Sequence, residues 1–307
     1  MIVKKASDIR VETVALTFSD ERLATPLQLS TGLITDVTYA TVLLTARTRD
    51  GRTSQGRGAI FLSDLWAFPN PAYTHVEKDG AMRRLCEALA ATLGRPGDYG
   101  DPMELGHALE GELSALVAAV ETALTGFEPG AIPYLAALNC LAPFDAALHD
   151  AWGRALGGST YDFYDAPWLN ADLGFYLGES FYGHYPARYL RKRRQQLLVQ
   201  HVVGAGDALT PEEAAAQQKA VPGLPSDLQS WIARDGVTCF KIKTRGQDPV
   251  VDAQRVAAVY RAALAAGVPP AALHLSFDPN EACPDPAFLT TMLDYLAMEA
   301  PAALQAI

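Results

Sequence analysis

The sequence predicts an α/β protein in two parts: an N-terminal α+β domain, then strands and helices alternating as parallel βαβ units. Three observations carry this. Segments rich in β-branched residues alternate around Asp50-Gly51, apolar residues then recur at helical spacing to about Gly158, and from Leu197 strand, helix and strand patterns follow one another. At roughly 100–200 residues per domain, 307 residues accommodate two such parts.

The first part opens with alternating segments, Ile9 to Phe18 and Tyr39 to Arg49; Asp50-Gly51, a tight-turn dipeptide, leads into Arg52 to Phe61. This reads as a small antiparallel meander. Met82, Leu85, Leu89 and Leu93 then share one helix face, and Leu109, Leu113, Leu116, Val117, Val120 and Leu124 another. A third run after Pro133 carries Leu138, Leu141, Leu148, Trp152 and Leu156 and stops at Gly157-Gly158. Domain one is therefore expected over 1–158.

Residues 159–196 form a link of another kind, in which Tyr161, Phe163, Tyr164, Trp168, Phe175, Tyr176, Phe181, Tyr182, Tyr185 and Tyr189 stand among glycines and prolines. So many rings are expected to pack on something, as a loop over the domain junction, a lid or an oligomer contact. The basic run Arg188, Arg191, Lys192, Arg193 and Arg194 beside it is expected to be the solvated face of a helix.

Domain two, 197–307, starts with an apolar strand candidate, Leu197 to Val203. Thr210-Pro211-Glu212-Glu213 supplies a hydroxyl cap, a first-turn proline and first-turn acids, and a second helical piece covers about Ser226 to Arg234. Val237 to Lys243 alternates as a strand. Asp248-Pro249 opens a helix to Gly267, Leu273 to Phe277 is a strand, and Asp285-Pro286 caps another helix. Strands joined by such helices require a parallel sheet.

Composition narrows the function. The formal charge of −10 disfavours a general grip on nucleic acid. Cys86, Cys140, Cys239 and Cys283 show neither zinc-ligand spacing nor a disulfide framework, and no window is apolar enough for a membrane span; a cytoplasmic protein is the expectation.

The chemistry concentrates on two strands. In Phe240-Lys241-Ile242-Lys243 the apolar pair takes one face and both lysines the other. Two partly desolvated ammonium groups about 7 Å apart are expected to lower each other's pKa toward the range of a general base, the alternative being two solvated lysines. In Leu273 to Asp278 the inward set is His274, Ser276 and Asp278, with Asp278 at the C-terminal strand end where parallel α/β proteins place active sites. Pro279, Asn280 and Glu281 follow, and such hard oxygen donors suit magnesium. An acid there also serves as a helix cap.

Together, Phe240-Lys241-Ile242-Lys243, Phe277-Asp278-Pro279-Asn280-Glu281 and the segment Phe144 to Gly157 (FDAALHDAWGRALG) make the sequence resemble the enolase superfamily, in its mandelate racemase and muconate lactonizing enzyme branch. The hairpin with Asp50-Gly51-Arg52 and Gly56-Arg57-Gly58 is similar to that family's opening sheet. The resemblance implies a capping domain followed by a partial (β/α) TIM-like barrel of about three βα units. It implies a magnesium-dependent enzyme that removes the proton α to a carboxylate. Lys243 would be the general base, Lys241 its partner, Asp278 a metal ligand and Asn280 its near neighbour. Leu23 to Leu33 and Gly58 to Trp66 would be loops that reach over the substrate.

The implied substrate is a small carboxylate such as an acid sugar, and the implied reaction a dehydration, with racemase, epimerase or cycloisomerase chemistry as alternatives. A barrel takes roughly 250 residues, whereas about 110 run from Leu198 to Ile307, so the chain is expected to stop before a fourth barrel strand. The family's remaining metal ligands have no match here. Two other readings follow: a catalytically inactive relative acting as a binding or assembly module, and an open nucleotide-binding sheet using Gly56-Arg57-Gly58 as its phosphate loop. Assembly into a homo-oligomer fits either enzyme or module.

Overall fold

The computed structural model describes residues 4–29, 32–217, 221–279 and 282–307. They form two compact units, Met1–Lys192 and Arg193–Ile307.

The first unit begins with an antiparallel sheet of β1 (Ile9–Leu29), β2 (Gly32–Thr48) and β3 (Thr53–Leu62), in that order. Gly51, at φ +95°, takes the turn between β2 and β3 in a conformation open to glycine. Alternation buries Ala40, Val42, Leu44 and Ala46 on one face of β2. Both hairpin arms run further than the pattern predicts. The segment expected as a loop over 23–33 is the distal part of this hairpin, and 58–66 is the end of β3 plus a short helix α1 (Asp64–Ala67). Leu27, Gln28 and Leu29 pair with Ile34, Leu33 and Gly32, and β3 stays paired with β2 to Leu62, so much of both segments is laddered strand.

Helix α2 (His75–Leu93) starts from a capping box in which Thr74 and Glu77 bond reciprocally, and α3 (Pro102–Gly111) starts from the same device built on Asp101 and Glu104. The predicted single run through Leu124 is two helices, because the chain re-enters as α4 (Leu113–Ala123) after Glu112. The sheet packs on α5 (Tyr134–Leu156), whose end is set by left-handed Gly157 at φ +76°.

Gly56 and Gly58 explain themselves here. A β-carbon on Gly56 would lie 2.1 Å from the Ala147 carbonyl oxygen, and one on Gly58 1.9 Å from that of Pro143. They are the strand positions at which β3 and α5 meet backbone to backbone, and they sit inside a strand rather than between strand and helix, which removes the phosphate-loop reading.

The aromatic stretch packs into this first unit. Trp152 of α5 is fully buried, with Phe163 edge-on at 5.8 Å and Tyr164 stacked at 6.1 Å. The Tyr164 hydroxyl meets His149 Nδ1 at 2.7 Å. Asn170 donates from Nδ2 to Asp8 and Glu104, and its backbone amide donates to Asp101. Burial pushes the Asp101 carboxyl above its ordinary range. Further along, a short helix α6 (Leu173–Leu177) leads to exposed Tyr182 and Tyr189. Residues 191–194 are exposed and lie outside any helix, so the basic run is a solvated segment of irregular chain and not a helix face.

The second unit is a parallel sheet of β4 (Gln200–Val203), β5 (Cys239–Lys243) and β6 (His274–Asp278), in that order. The predicted strand from Leu197 is shorter than expected: Leu197, Leu198 and Val199 are exposed and unladdered. Helices α7 (Pro211–Gln217) and α8 (Leu228–Asp235) connect β4 to β5. Helix α9 (Pro249–Ala265), capped by the Asp248 carboxylate, connects β5 to β6. Helices α10 (Pro286–Glu299) and α11 (Pro301–Gln305) follow β6. Phe240, Ile242 and Leu275 join Val256, Val259, Met292 and Leu296 in one core, as the alternation requires. The architecture is thus α/β, with an antiparallel N-terminal sheet and a partial parallel-sheet domain. Among the described residues no helix is long and apolar enough to cross a membrane.

Candidate active site

The candidate site stands on the sheet face opposite that core. Parallel register sets Lys241 beside Ser276 and Lys243 beside Asp278, so the C-terminal ends of β5 and β6 finish level. Because Phe240 and Ile242 must be buried, alternation turns both lysines the other way. They converge on one atom: Asp278 Oδ2 lies 2.8 Å from Lys241 Nζ and 2.7 Å from Lys243 Nζ. The sum of the two distances, 5.5 Å, bounds the separation of the ammonium groups. Each side chain is about a third exposed, so the cluster is partly in water.

This arrangement modifies the expectation drawn from the lysines alone. They do not face one another as unscreened like charges; a shared carboxylate lies between them. The Thr244 amide donates to the Asp278 main-chain carbonyl at 3.1 Å and continues the ladder one step past β5. On the same face Gln200 Nε2 donates to Ser276 Oγ at 3.2 Å. Sequence reasoning missed this pair, although Gln200 lies at the start of β4 in a register that brings it level with Cys239. His274 belongs to the inward set and is exposed. His201, on the core face of β4, is driven below its ordinary pKa by burial and packs on Trp231 and Phe240, a structural role.

Asn280 and Glu281 lie outside the described residues. Among the described residues no group of three or more His, Cys, Asp or Glu side chains is placed to hold a metal ion. The donor chemistry nonetheless fits magnesium at one vertex: Asp278 offers a hard, partly exposed carboxylate at a strand's C-terminal end. One carboxylate is a single ligand and not a complete site.

No family model and no curated relative matches the chain. Solved structures do. The chain is similar to an enolase from Bradyrhizobium crystallised with magnesium and mandelic acid, at 17% identity over 95% of this chain and 59% of that one, with a TM-score of 0.50. It is equally similar to a dipeptide epimerase from Methylococcus capsulatus complexed with magnesium and the dipeptide L-Arg-D-Lys, at 18% identity over 94% of this chain and 59% of that one, TM-score 0.50. A mandelate racemase/muconate lactonizing protein from Herpetosiphon aurantiacus matches at 18% identity over 94% of this chain and 57% of that one, TM-score 0.46. The chain therefore spans less than two thirds of the length of the structures it matches. At these identities the first two matches establish a shared fold, the one the sequence resemblance implied.

Proposed function

We propose that this chain carries the front part of an enolase-superfamily enzyme of the mandelate racemase and muconate lactonizing branch, one that abstracts the proton α to a carboxylate. The observation that carries the reading is the convergence of Lys241, Lys243 and Asp278 at the ends of two adjacent parallel strands. In this assignment 1–158 is a capping domain, 159–196 the link and 197–307 the beginning of a barrel.

Lys243, nearest the strand end, takes the α-proton as general base. Lys241 partners the base and helps neutralise the developing enolate. Asp278, with Asn280 as its neighbour, would hold Mg2+; when bound, that ion supplies stabilisation of the negative charge that builds on the substrate carboxylate. Ser276 and Gln200, tied together on the same face, would orient substrate hydroxyls.

The substrate class that suits these groups is a small carboxylate. An acid sugar undergoing dehydration is the reading we favour, with racemisation, epimerisation and cycloisomerisation differing by the group on the opposite side of the substrate. Four free cysteines fit a reducing compartment such as the cytoplasm, and exposed Tyr182 and Tyr189 offer contacts for a homo-oligomer.

The test is exchange of the α-proton in deuterated water by the full-length protein with Mg2+ and a panel of acid sugars, read by NMR. Lys243→Ala should abolish exchange, and unchanged exchange in that variant would sink the proposal. The ion pairs that commit both lysines to Asp278 favour one second reading, an inactive relative used for binding or assembly. It requires that no panel member exchanges and that magnesium leaves the melting temperature unmoved.

A further inference from the structure

We propose that the basic run Arg191-Lys192-Arg193-Arg194 is a processing site, cut by an endopeptidase selective for arginine and lysine into two fragments that each keep their own core. Residues 188–200 are all exposed, and 190–199 belong to no helix or strand. The division of the chain into Met1–Lys192 and Arg193–Ile307 falls inside the run. Tyr185 is the last residue packed on the first core and Val203 the first residue of the second, so a cut here takes no core residue from either unit. The proposal does not depend on the proton-abstraction reading, whose residues stand elsewhere in the chain.

The backbone of this segment is free to be bound. Between Leu190, whose amide donates to the Pro186 carbonyl at 3.3 Å, and Gln200, where pairing with Cys239 begins, residues 191–198 make no backbone hydrogen bond among the described residues. An endopeptidase takes its substrate as extended chain, held along the cleft by main-chain hydrogen bonds like those of an added strand. A helix or a laddered strand must first open before it can be held that way, and the opening slows cleavage. Here no such structure has to be broken, and exposed chain of this kind is where nicking concentrates.

Charge supplies the selectivity. The chain carries a formal charge of −10, yet Arg188, Arg191, Lys192, Arg193 and Arg194 crowd into 188–194 with no acid among them. Arginines on ordered elements sit against carboxylates, as Arg47 does against Glu12, Arg154 against Asp150 and Arg234 against Asp235, whereas none of these five enters an ion pair among the described residues. Such a side chain enters an acidic specificity pocket without giving up a partner, and the buried charge pair formed there selects it. The reaction consumes one water. The C–N bond after the basic residue breaks, the carbonyl carbon takes the hydroxyl and ends the first fragment as a carboxylic acid, and the nitrogen takes the proton and begins the second as an amine.

The experiment is timed digestion of the full chain by trypsin, the probe for this specificity, read by intact mass. The first cut is expected after Arg191, Lys192, Arg193 or Arg194, and both fragments should persist as the intact chain disappears. A variant combining Arg188→Gln, Arg191→Gln, Lys192→Gln, Arg193→Gln and Arg194→Gln should slow the first cut by about tenfold or more, the loss of a buried charge pair with the protease. All five side chains are exposed, so its melting temperature should match the wild type's. Urea well below the unfolding midpoint should leave the rate of the first cut unchanged relative to a free peptide of sequence 188–199, because no unfolding precedes it. The proposal is overturned by a first cut elsewhere, by fragments degraded as fast as they form, by an unchanged rate in the combined variant, or by a relative rate that climbs with urea.

Discussion

Replacing Asp278 by Asn removes the charge between two ammonium groups that it holds no more than 5.5 Å apart. At that separation their repulsion is about 0.8 kcal/mol in a water-like dielectric and about 3 kcal/mol at an effective dielectric of about 20. Side chains about a third exposed fall between these limits, so the second unit should lose about 2 kcal/mol. Urea unfolding followed by circular dichroism measures it. The loss should shrink at about 1 M salt, where the screening length falls to about 3 Å. In the Asp278→Asn background, adding Lys241→Met should restore stability, because one of the two like charges is gone. A loss that ignores salt, or a double variant weaker than the single, would refute the electrostatic account of the site.

Gly58→Ala would place a β-carbon 1.9 Å from the Pro143 carbonyl, backbone against backbone, so α5 must move away from β3. Overpacking of this kind costs about 1–3 kcal/mol and sometimes more. With no flexible side chain to yield, a cost near about 3 kcal/mol and a fall in melting temperature of about 6–12 °C are expected; a melting temperature like the wild type's would contradict the close approach. His75 bridges Asp64, at 3.0 Å from Nδ1, and Asp36, at 3.3 Å from Nε2, joining the start of α2 to the distal hairpin. Burial lowers its pKa, but the two carboxylates outweigh burial and the net shift is upward from 6.5. A raised folded-state pKa gives stability that is complete below the unfolded value and fades as pH rises through the folded one. The stability gap between wild type and His75→Gln should therefore be widest on the acid side of pH 6.5 and close as pH rises; a gap that widens with pH would contradict the clamp.

Much of the fold was legible because local signals and burial agree. The Asp248-Pro249 and Asp285-Pro286 starts, the Asp50-Gly51 turn and the stop at Gly157 each solve one backbone problem with the residues at hand, and each stands where the pattern put it. The misses have a common cause. The long hairpin arms, the break at Glu112 and the short β4 depend on pairing partners remote in sequence, which periodicity along a single segment does not register. The aromatic stretch is the strongest case: Phe163 and Tyr164 pack on Trp152, and Asn170 bonds the carboxylates of Asp8, Asp101 and Glu104, all three more than fifty residues away, so no period along the stretch registers them.

The candidate site divides along the same line. Which face Lys241 and Lys243 occupy follows from alternation, since burying Phe240 and Ile242 leaves no other choice. What the lysines do to one another does not follow, because it depends on the register between β5 and β6, and register is a pairwise property. A slip of one residue would carry Asp278 to the core face, leaving two adjacent cations without the carboxylate that lies between them and placing a charge among Val256, Val259 and Met292. The hydrophobic pattern of β6 forbids that slip, as Leu275 must stay buried. The same apolar residues that build the sheet's core thus fix the meeting point of three charges on its other face, and the site is set by residues that never touch it.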